Sequence, residues 1–313
     1  MKIGVIGGSG FIGSHIVDKL IEQEHEVTVF DIMKPHREDV RHLYIDITDL
    51  SKTAVALTGN FDAVYLLAAM ADVNDVYKNP VEAGEINILG VANVLEAARR
   101  NEIGRVILAS TVWIYGLSSE KAVDESTPLH IEKADHVYTS SKVAAELYCQ
   151  SYKRLYNQNF TILRYGIPYG PRARGGTVVA IFVRKALNGE PLTIFGDGSQ
   201  YRNFIYVEDL AEGNVAALKG AAENQTYNLE GMRPITVREV AETVKKLVGD
   251  EKEVKEVKEV KEVKIEYKEE RPGDFEGKTV SAEKAKKELG WWPKVDFEEG
   301  VRRYIKWYVK GRE

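Results

Sequence analysis

Gly7-Gly8-Ser9-Gly10-Phe11-Ile12-Gly13 constrains the fold of this 313-residue chain more than any other stretch. It comes directly after a short apolar run, Lys2 to Ile6. It opens a segment in which Ile12, Ile16, Val17, Leu20 and Ile21 recur at helical spacing. The order strand, glycine turn, helix gives the three glycines physical work. They permit a tight turn, a close approach of backbone to a pyrophosphate, and close packing of helix on strand. The helix N-terminus then presents unpaired amide groups to the phosphates. A purely structural glycine turn would explain this stretch alone, but not the polar and small residues that recur at the ends of the later strands.

The pattern repeats along the first half. A second strand, Glu26 to Phe30, ends at Asp31, whose carboxylate can accept hydrogen bonds from an adenosine ribose and repels a 2′-phosphate, favouring NAD over NADP. Lys34, His36 and Arg37 lie close enough to soften that preference. A third strand, Leu43 to Ile45, runs into Asp46-Ile47, a carboxylate and an apolar side chain suited to an adenine. A fourth, Ala63 to Leu67, runs into the small residues Ala68-Ala69. A helix is expected around Glu85 to Arg99, then a fifth strand from Arg105 to Ala109 ending in Ser110-Thr111. A sixth, Phe160 to Arg164, is followed by Tyr165. Strands alternating with helices predict an α/β fold with a doubly wound parallel sheet, which binds ligands at the carboxyl ends of its strands. Gly7, Asp31, Asp46, Ala68, Thr111 and Tyr165 all fall just past predicted strands.

Beyond Tyr165 the alternation loosens. Strands are expected at Leu192 to Phe195, Arg202 to Tyr206, Thr226 to Leu229 and near Lys264 to Tyr267. Helices are expected at Glu208 to Leu218, Val237 to Leu247, Ala282 to Leu289 and Phe297 to Tyr308. The division expected is residues 1–165 as a dinucleotide-binding domain, with later contributions near 201–230, and residues 166–313 mainly as a smaller mixed α/β lobe. Glu251 to Lys264 is nearly a Lys-Glu-Val triplet repeat, read as a solvated, partly helical extension of the preceding helix, with an interaction tail as the alternative.

Tyr138-Thr139-Ser140-Ser141-Lys142 carries the candidate chemistry. On a helix, residues four apart share a face. A phenol with a reference pKa of about 10 is a poor base at neutral pH. An ammonium beside it favours the phenolate, and a cationic nicotinamide ring favours it further. A proton acceptor beside a hydride acceptor is what oxidation of an alcohol needs, although a tyrosine packed over a lysine stem has the same spacing. The net charge of −5 argues against a general nucleic-acid-binding surface. No apolar run reaches the ~20 residues of a membrane span, and no leader precedes the first strand, so a cytoplasmic protein is expected. The single cysteine, Cys149, suits a reducing compartment.

Taken together, these motifs resemble the extended short-chain dehydrogenase/reductase family, in its NAD-dependent nucleotide-sugar epimerase/dehydratase branch. The likeness extends over almost the whole chain. It also includes Asn87, Tyr115-Gly116, Tyr169-Gly170-Pro171, Gly196-Asp197-Gly198, Arg202-Asn203-Phe204-Ile205-Tyr206-Val207 and Arg271-Pro272-Gly273-Asp274. It implies a Rossmann-type sheet and NAD as cofactor, with no metal. It implies cofactor contacts at Gly7, Gly10, Phe11, Ile12 and Gly13, at Asp31, Asp46 and Ile47, and at Leu67, Ala68, Ala69 and Asn87. Ser110, Tyr138, Lys142 and Tyr165 complete that set. Tyr138 is implied as general base, Lys142 as its pKa partner and a ribose ligand, and Thr111 as the hydroxyl bonded to the reacting sugar oxygen. Arg202 would hold the substrate diphosphate, and Arg271 and Asp274 would line the nucleotide. A homodimer through the helices near Glu85–Arg99 and Thr139–Tyr156 is also implied.

The departures narrow the expected reaction. Val112-Trp113 stand where 4,6-dehydratases of the family have aspartate and glutamate, and the glutamate two after the threonine that is common in decarboxylases is absent. Ile167 replaces an asparagine that holds the sugar nucleotide in many members, and Tyr65-Leu66-Leu67 lacks a frequent histidine. The expectation is a UDP-glucose/UDP-galactose type 4-epimerase acting on a nucleotide sugar. A dehydrogenase that releases NAD after each turnover and a non-catalytic dinucleotide-binding regulator remain as rivals.

Overall fold

Long apolar runs separated by amphipathic stretches suit strands buried on both faces with helices covering them, and the computed structural model has that architecture. It describes residues 1–250, 263–269 and 277–311. The chain begins with β1 (Lys2–Ile6), α1 (Phe11–Glu22), β2 (Glu26–Asp31), β3 (Arg41–Tyr44), α2 (Leu50–Ala56) and β4 (Ala63–Leu66). Then α3 (Val73–Lys78), α4 (Pro80–Gly84) and a π-helical turn (Glu85–Leu89) lead into α5 (Gly90–Arg100) and β5 (Val106–Thr111). A 3-10 stretch at Val112–Leu117 and β6 (Ala122–Val123) precede α6 (Val137–Tyr156) and β7 (Phe160–Tyr165). The later half runs β8 (Ile167–Tyr169), α7 (Val178–Leu187), β9 (Leu192–Phe195), β10 (Tyr201–Arg202), β11 (Phe204–Tyr206), α8 (Val207–Ala216) and β12 (Gln225–Leu229). It closes with β13 (Ile235–Thr236), α9 (Val237–Asp250), β14 (Ile265–Lys268), β15 (Thr279–Val280), α10 (Glu283–Leu289) and α11 (Phe297–Val309).

The chain divides into two compact units. The first comprises Met1–Tyr165, Ala211–Leu229 and Ser281–Trp292. Its seven strands lie in the order β12-β7-β5-β4-β1-β2-β3, with all neighbours parallel. The order reverses between β1 and β4, the crevice where doubly wound sheets bind ligands. On one face Ile6, Phe30, Val64, Leu66, Leu108 and Ile162 pack with Val91, Val94 and Leu95 of α5 and with Ala145 and Cys149 of α6. Ser281–Trp292 joins this unit because α10 packs on β12. There Glu288 accepts from the Tyr227 hydroxyl at 2.7 Å, and the Asn228 amide donates to the Ser281 carbonyl at 2.9 Å.

The second unit comprises Gly166–Leu210, Glu230–Val280 and Pro293–Glu313. Its core gathers Tyr169, Val183, Phe204, Val240, Val244, Val301 and Tyr304. Its strands pair two by two: β8 with β11 and β9 with β14 in parallel, β10 with β13 antiparallel.

Several boundaries differ from expectation. Asp31, Thr111 and Tyr165 are the last residues of their strands, and Ser110 the second-last of its own, rather than lying beyond them, because each has a register partner that prolongs the ladder. Asp31 pairs with Tyr44, and Tyr165 with both Thr111 and Leu229. The single strand expected from Arg202 to Tyr206 is two. Arg202 pairs with Ile235 and Phe204 with Ile167, so the chain changes partner at Asn203. The helix expected from Glu85 begins as the π turn. Most of the Lys-Glu-Val repeat, residues 251–262, lies outside the described residues.

Candidate active site

The glycine loop leaves β1 and turns under the segment that comes after β4. Gly7 has φ +84, and a Cβ there would sit 2.5 Å from the Ala68 nitrogen. A Cβ on Gly13 would sit 2.1 Å from the Gly7 carbonyl oxygen, so the start of α1 packs directly on the loop. Leu67 and Ala68 both donate backbone hydrogen bonds to the Ile6 carbonyl, at 2.8 and 3.2 Å, and Ala69 continues that half-buried segment. Gly10 is the N-cap of α1. No side chain caps the helix, and no acidic residue stands in its first turn. The amides of Phe11, Ile12 and Gly13 are therefore the leading donors of an uncapped helix, which suits an anionic pyrophosphate.

Asp31 is buried at the end of β2, its two carboxylate oxygens accepting from the Ser9 and Met33 amides at 2.9 Å each. The carboxylate is thus fixed against the glycine loop while each oxygen keeps accepting capacity for ribose hydroxyls. Arg37 is drawn off to Asp18 at 3.1 Å and Asp39 at 2.6 Å, and His36 lies 3.4 Å from Asp18. Neither offers an uncommitted charge to a 2′-phosphate. Asp46 is exposed and accepts from the amide and hydroxyl of Thr48, at 2.9 and 2.7 Å. Ile47 is instead buried against Gly90.

Asn87 lies in the π turn, a form often found at functional sites. Its amide oxygen accepts from the Met70 nitrogen at 2.8 Å. Its amide nitrogen donates to the Met70 carbonyl at 2.9 Å and the Ser141 hydroxyl at 3.2 Å. The residue clamps the segment after β4 to α6, and both of its donors are committed to the protein. Tyr165 is buried, with its hydroxyl donating to the Asn214 side chain inside the first unit.

Thr111, Tyr138 and Lys142 come together. The Thr111 hydroxyl, at the tip of β5, accepts from the Trp113 amide at 3.2 Å and lies near the Tyr138 phenol, on which it acts to favour the phenolate. Lys142 lies one turn further along α6, its Nζ 5.9 Å from the Tyr138 ring centroid and donating to the Ala109 carbonyl at 3.0 Å. Burial pushes the Tyr138 phenol up to about 12, partly opposed by the nearby Thr111 hydroxyl. Burial also draws Lys142 down to about 8, against the pull of the Glu146 charge. The expectation was that the lysine ammonium favours the phenolate and that a cationic nicotinamide ring favours it further. In the structure desolvation is the largest influence on the phenol, and it disfavours the phenolate.

Arg202 lies on β10 of the second unit, half-buried, with one guanidinium nitrogen donating to the Tyr201 carbonyl at 2.7 Å. Arg271 and Asp274 lie outside the described residues. Two buried residues of the first unit, Glu146 and Arg164, were not singled out by the sequence. Glu146 takes a fork from Arg164, 3.0 Å from Nε and 2.8 Å from a terminal nitrogen, and accepts from Ser110 at 2.6 Å. The signal for Glu146 was the continuation of the four-residue spacing from Tyr138 and Lys142 along α6. Among the described residues no helix is long and apolar enough to cross a membrane.

Comparison with known proteins agrees with this geometry. The family model of the NAD-dependent epimerase/dehydratase family matches residues 3–229. A putative UDP-glucose 4-epimerase of Methanocaldococcus jannaschii is 33% identical, with 97% of each chain covered. A UDP-N-acetyl-alpha-D-glucosaminuronate decarboxylase of Bacillus cytotoxicus is 30% identical over 97% of this chain and 96% of its own. Among solved structures, the UDP-glucose 4-epimerase of Thermus thermophilus in complex with NAD is 31% identical with a TM-score of 0.84, all of both chains being covered. The uncapped start of α1, the cradle at Gly7 and Gly13 and the fixed Asp31 carboxylate all fit a dinucleotide. The chain belongs to the NAD-dependent epimerase/dehydratase family of enzymes, and NAD is its cofactor.

Proposed function

We propose that this enzyme is a nucleotide-sugar 4-epimerase of the UDP-glucose/UDP-galactose type. The observation that carries the reading is the convergence of Tyr138 and Lys142 on α6 with Thr111 at the carboxyl end of β5. Tyr138 takes the proton of the sugar 4-hydroxyl at its phenolic oxygen. Thr111 holds the same sugar oxygen, and the Lys142 ammonium stabilises the phenolate. NAD, when bound, would supply reversible hydride acceptance and a positive ring charge that favours the phenolate. Tyr138 then returns the proton after the 4-keto sugar has turned over. The glycine loop would hold the pyrophosphate, Asp31 the adenosine ribose, and Lys142 the second ribose. Arg202 would take the substrate diphosphate with its guanidinium fork. Arg271 and Asp274 would line the nucleotide. Val112 and Trp113 offer no carboxylate, which weighs against dehydration and decarboxylation.

The reading includes a homodimer. Leu147, Tyr148 and Leu155 stand exposed on α6, and Leu89 on the adjoining π turn, an apolar face that a second copy of the chain would cover. A cytoplasmic location accords with the single cysteine, Cys149, being buried.

The test is NMR of the purified protein, without added NAD, incubated with a panel of UDP-, GDP- and dTDP-sugars. A new C4 epimer is the expected product. Tyr138→Phe should lower its rate of appearance by on the order of 10²-fold or more. Turnover unchanged in Tyr138→Phe would sink the mechanism. Reduced cofactor appearing only with another alcohol and added NAD would make the enzyme a dehydrogenase.

A further inference from the structure

Beneath the Tyr138–Lys142 pair runs a buried polar row to which the proposed mechanism assigns no role. Ser110, Arg164 and Asn228 are register partners across β5, β7 and β12, so their side chains share one face of the sheet. That face also carries α6. Tyr138, Lys142 and Glu146 succeed one another at four-residue intervals along α6 and so share its sheet-facing side. One Glu146 oxygen accepts from Ser110 at 2.6 Å and from Arg164 Nε at 3.0 Å, and the other from Arg164 at 2.8 Å. Arg164 also donates to the Tyr115 hydroxyl at 2.8 Å, which donates in turn to Asn228 at 2.9 Å. Both ends of the Glu146–Arg164 pair are more than nine-tenths buried.

A buried ion pair of this kind often adds little to stability against an apolar replacement. Its position suggests a different use. Ser110 lies between Ala109, whose carbonyl receives Lys142, and Thr111, whose hydroxyl lies near the Tyr138 phenol. Anchoring Ser110 therefore fixes both of those contacts.

We propose that Glu146 is a positioning residue for the Tyr138–Lys142 pair: its carboxylate is the counter-charge that keeps the Lys142 ammonium protonated, and its hydrogen bond to Ser110 fixes the tip of β5 beneath the reacting groups. The inference rests on the reading of Lys142 as partner of Tyr138. The charged and titratable groups facing this cluster are Tyr138 and Cys149 on α6, Arg164 from β7 and Tyr115 from the stretch after β5. Arg164 is committed to Glu146 and Tyr115, while burial pushes both the Tyr115 phenol and the Cys149 thiol up. Glu146 is the negative charge whose field opposes the loss of the Lys142 proton.

The measurement is an NMR titration of protein labelled at the lysine Cε, with the Lys142 signal assigned by its absence in Lys142→Arg. It needs no substrate, so it succeeds or fails independently of the epimerase reading. The Lys142 midpoint is expected at about 8 in the unaltered enzyme. In Glu146→Gln it should fall by on the order of one pH unit. Glu146→Gln leaves Arg164 unpaired, so the second variant is Glu146→Gln with Arg164→Gln, which keeps a neutral side-chain pair in the same space. Its midpoint should be as low as in the single variant. An unmoved midpoint in Glu146→Gln overturns the proposal. A midpoint restored in the double variant also overturns it, because the shift would then come from the stranded Arg164 charge. If the single variant does not fold, the double variant decides: a low midpoint supports the proposal and an unaltered one overturns it. On a turned-over substrate, the alkaline limb of the pH–rate profile should move down with the midpoint.

Discussion

Lys142 is held in its folded site against a desolvation cost. Its pKa is lowered to about 8 from an ordinary 10.5, mainly by burial and against the Glu146 charge. Below pH 8 the lysine is protonated in both the folded and unfolded chains, and its buried charge is fully unfavourable. Between about 8 and 10.5 the unfolded chain alone keeps the proton, so this group's penalty fades as pH rises through that window. Lys142→Met removes the charge while filling similar space. At pH 7 it should raise the free energy of unfolding by up to about 3 kcal/mol, with the gain shrinking towards pH 10, while turnover is lost. Urea unfolding at the two pH values checks this. No gain at pH 7 would mean that the Ala109 hydrogen bond offsets the desolvation. The sequence pairs Tyr138 with Lys142 by spacing alone, and the structure adds the sign. The phenol is pushed up rather than down, because burial is a property of the packed site and not of a four-residue interval.

The glycine loop and α1 act as one element. Its tight turn was legible because a steric requirement for no side chain leaves only one residue type. Gly13→Ala places a Cβ 2.1 Å from a backbone oxygen, which forces α1 away from the loop. The expected result is at least about a tenfold loss of NAD affinity by calorimetry, from misaligned helix amides, with the far-ultraviolet circular dichroism of the sheet retained. Gly10→Ala meets only the Gly7 carbonyl, at 3.3 Å, and should lose less. Equal losses would mean that the loop, rather than the packing of α1, governs binding. Other elements were less legible. The helix expected from Glu85 begins as a π turn whose Asn87 clamps Met70 to Ser141. Periodicity registers the apolar face of such a segment but not the extra residue in its turn. Glu146 and Arg164 were missed because a charged residue inside an apolar pattern reads as exposed until its partner on another strand is known.

At the scale of the molecule, the apolar face of Leu147, Tyr148 and Leu155 on α6 bears on assembly. If a second copy covers it, Leu155→Glu should convert a dimer into a monomer in light scattering at micromolar concentration, because burying an unpaired carboxylate costs several kcal/mol. A monomer in the unaltered protein would remove the dimer from the reading. The order of strands and helices, the glycine loop, the acidic end of β2 and the Tyr138–Lys142 spacing were all determined by the sequence itself, since each arises from local sterics or hydrophobic periodicity. The tertiary structure decided which strand lies beside which. It thereby decided the polar row of Ser110, Arg164 and Asn228, the return of residues 281–292 to the first unit, and the pKa directions at the site. Those depend on register between segments about 50 or more residues apart and on how completely water is excluded, and neither is encoded in the local pattern of the chain.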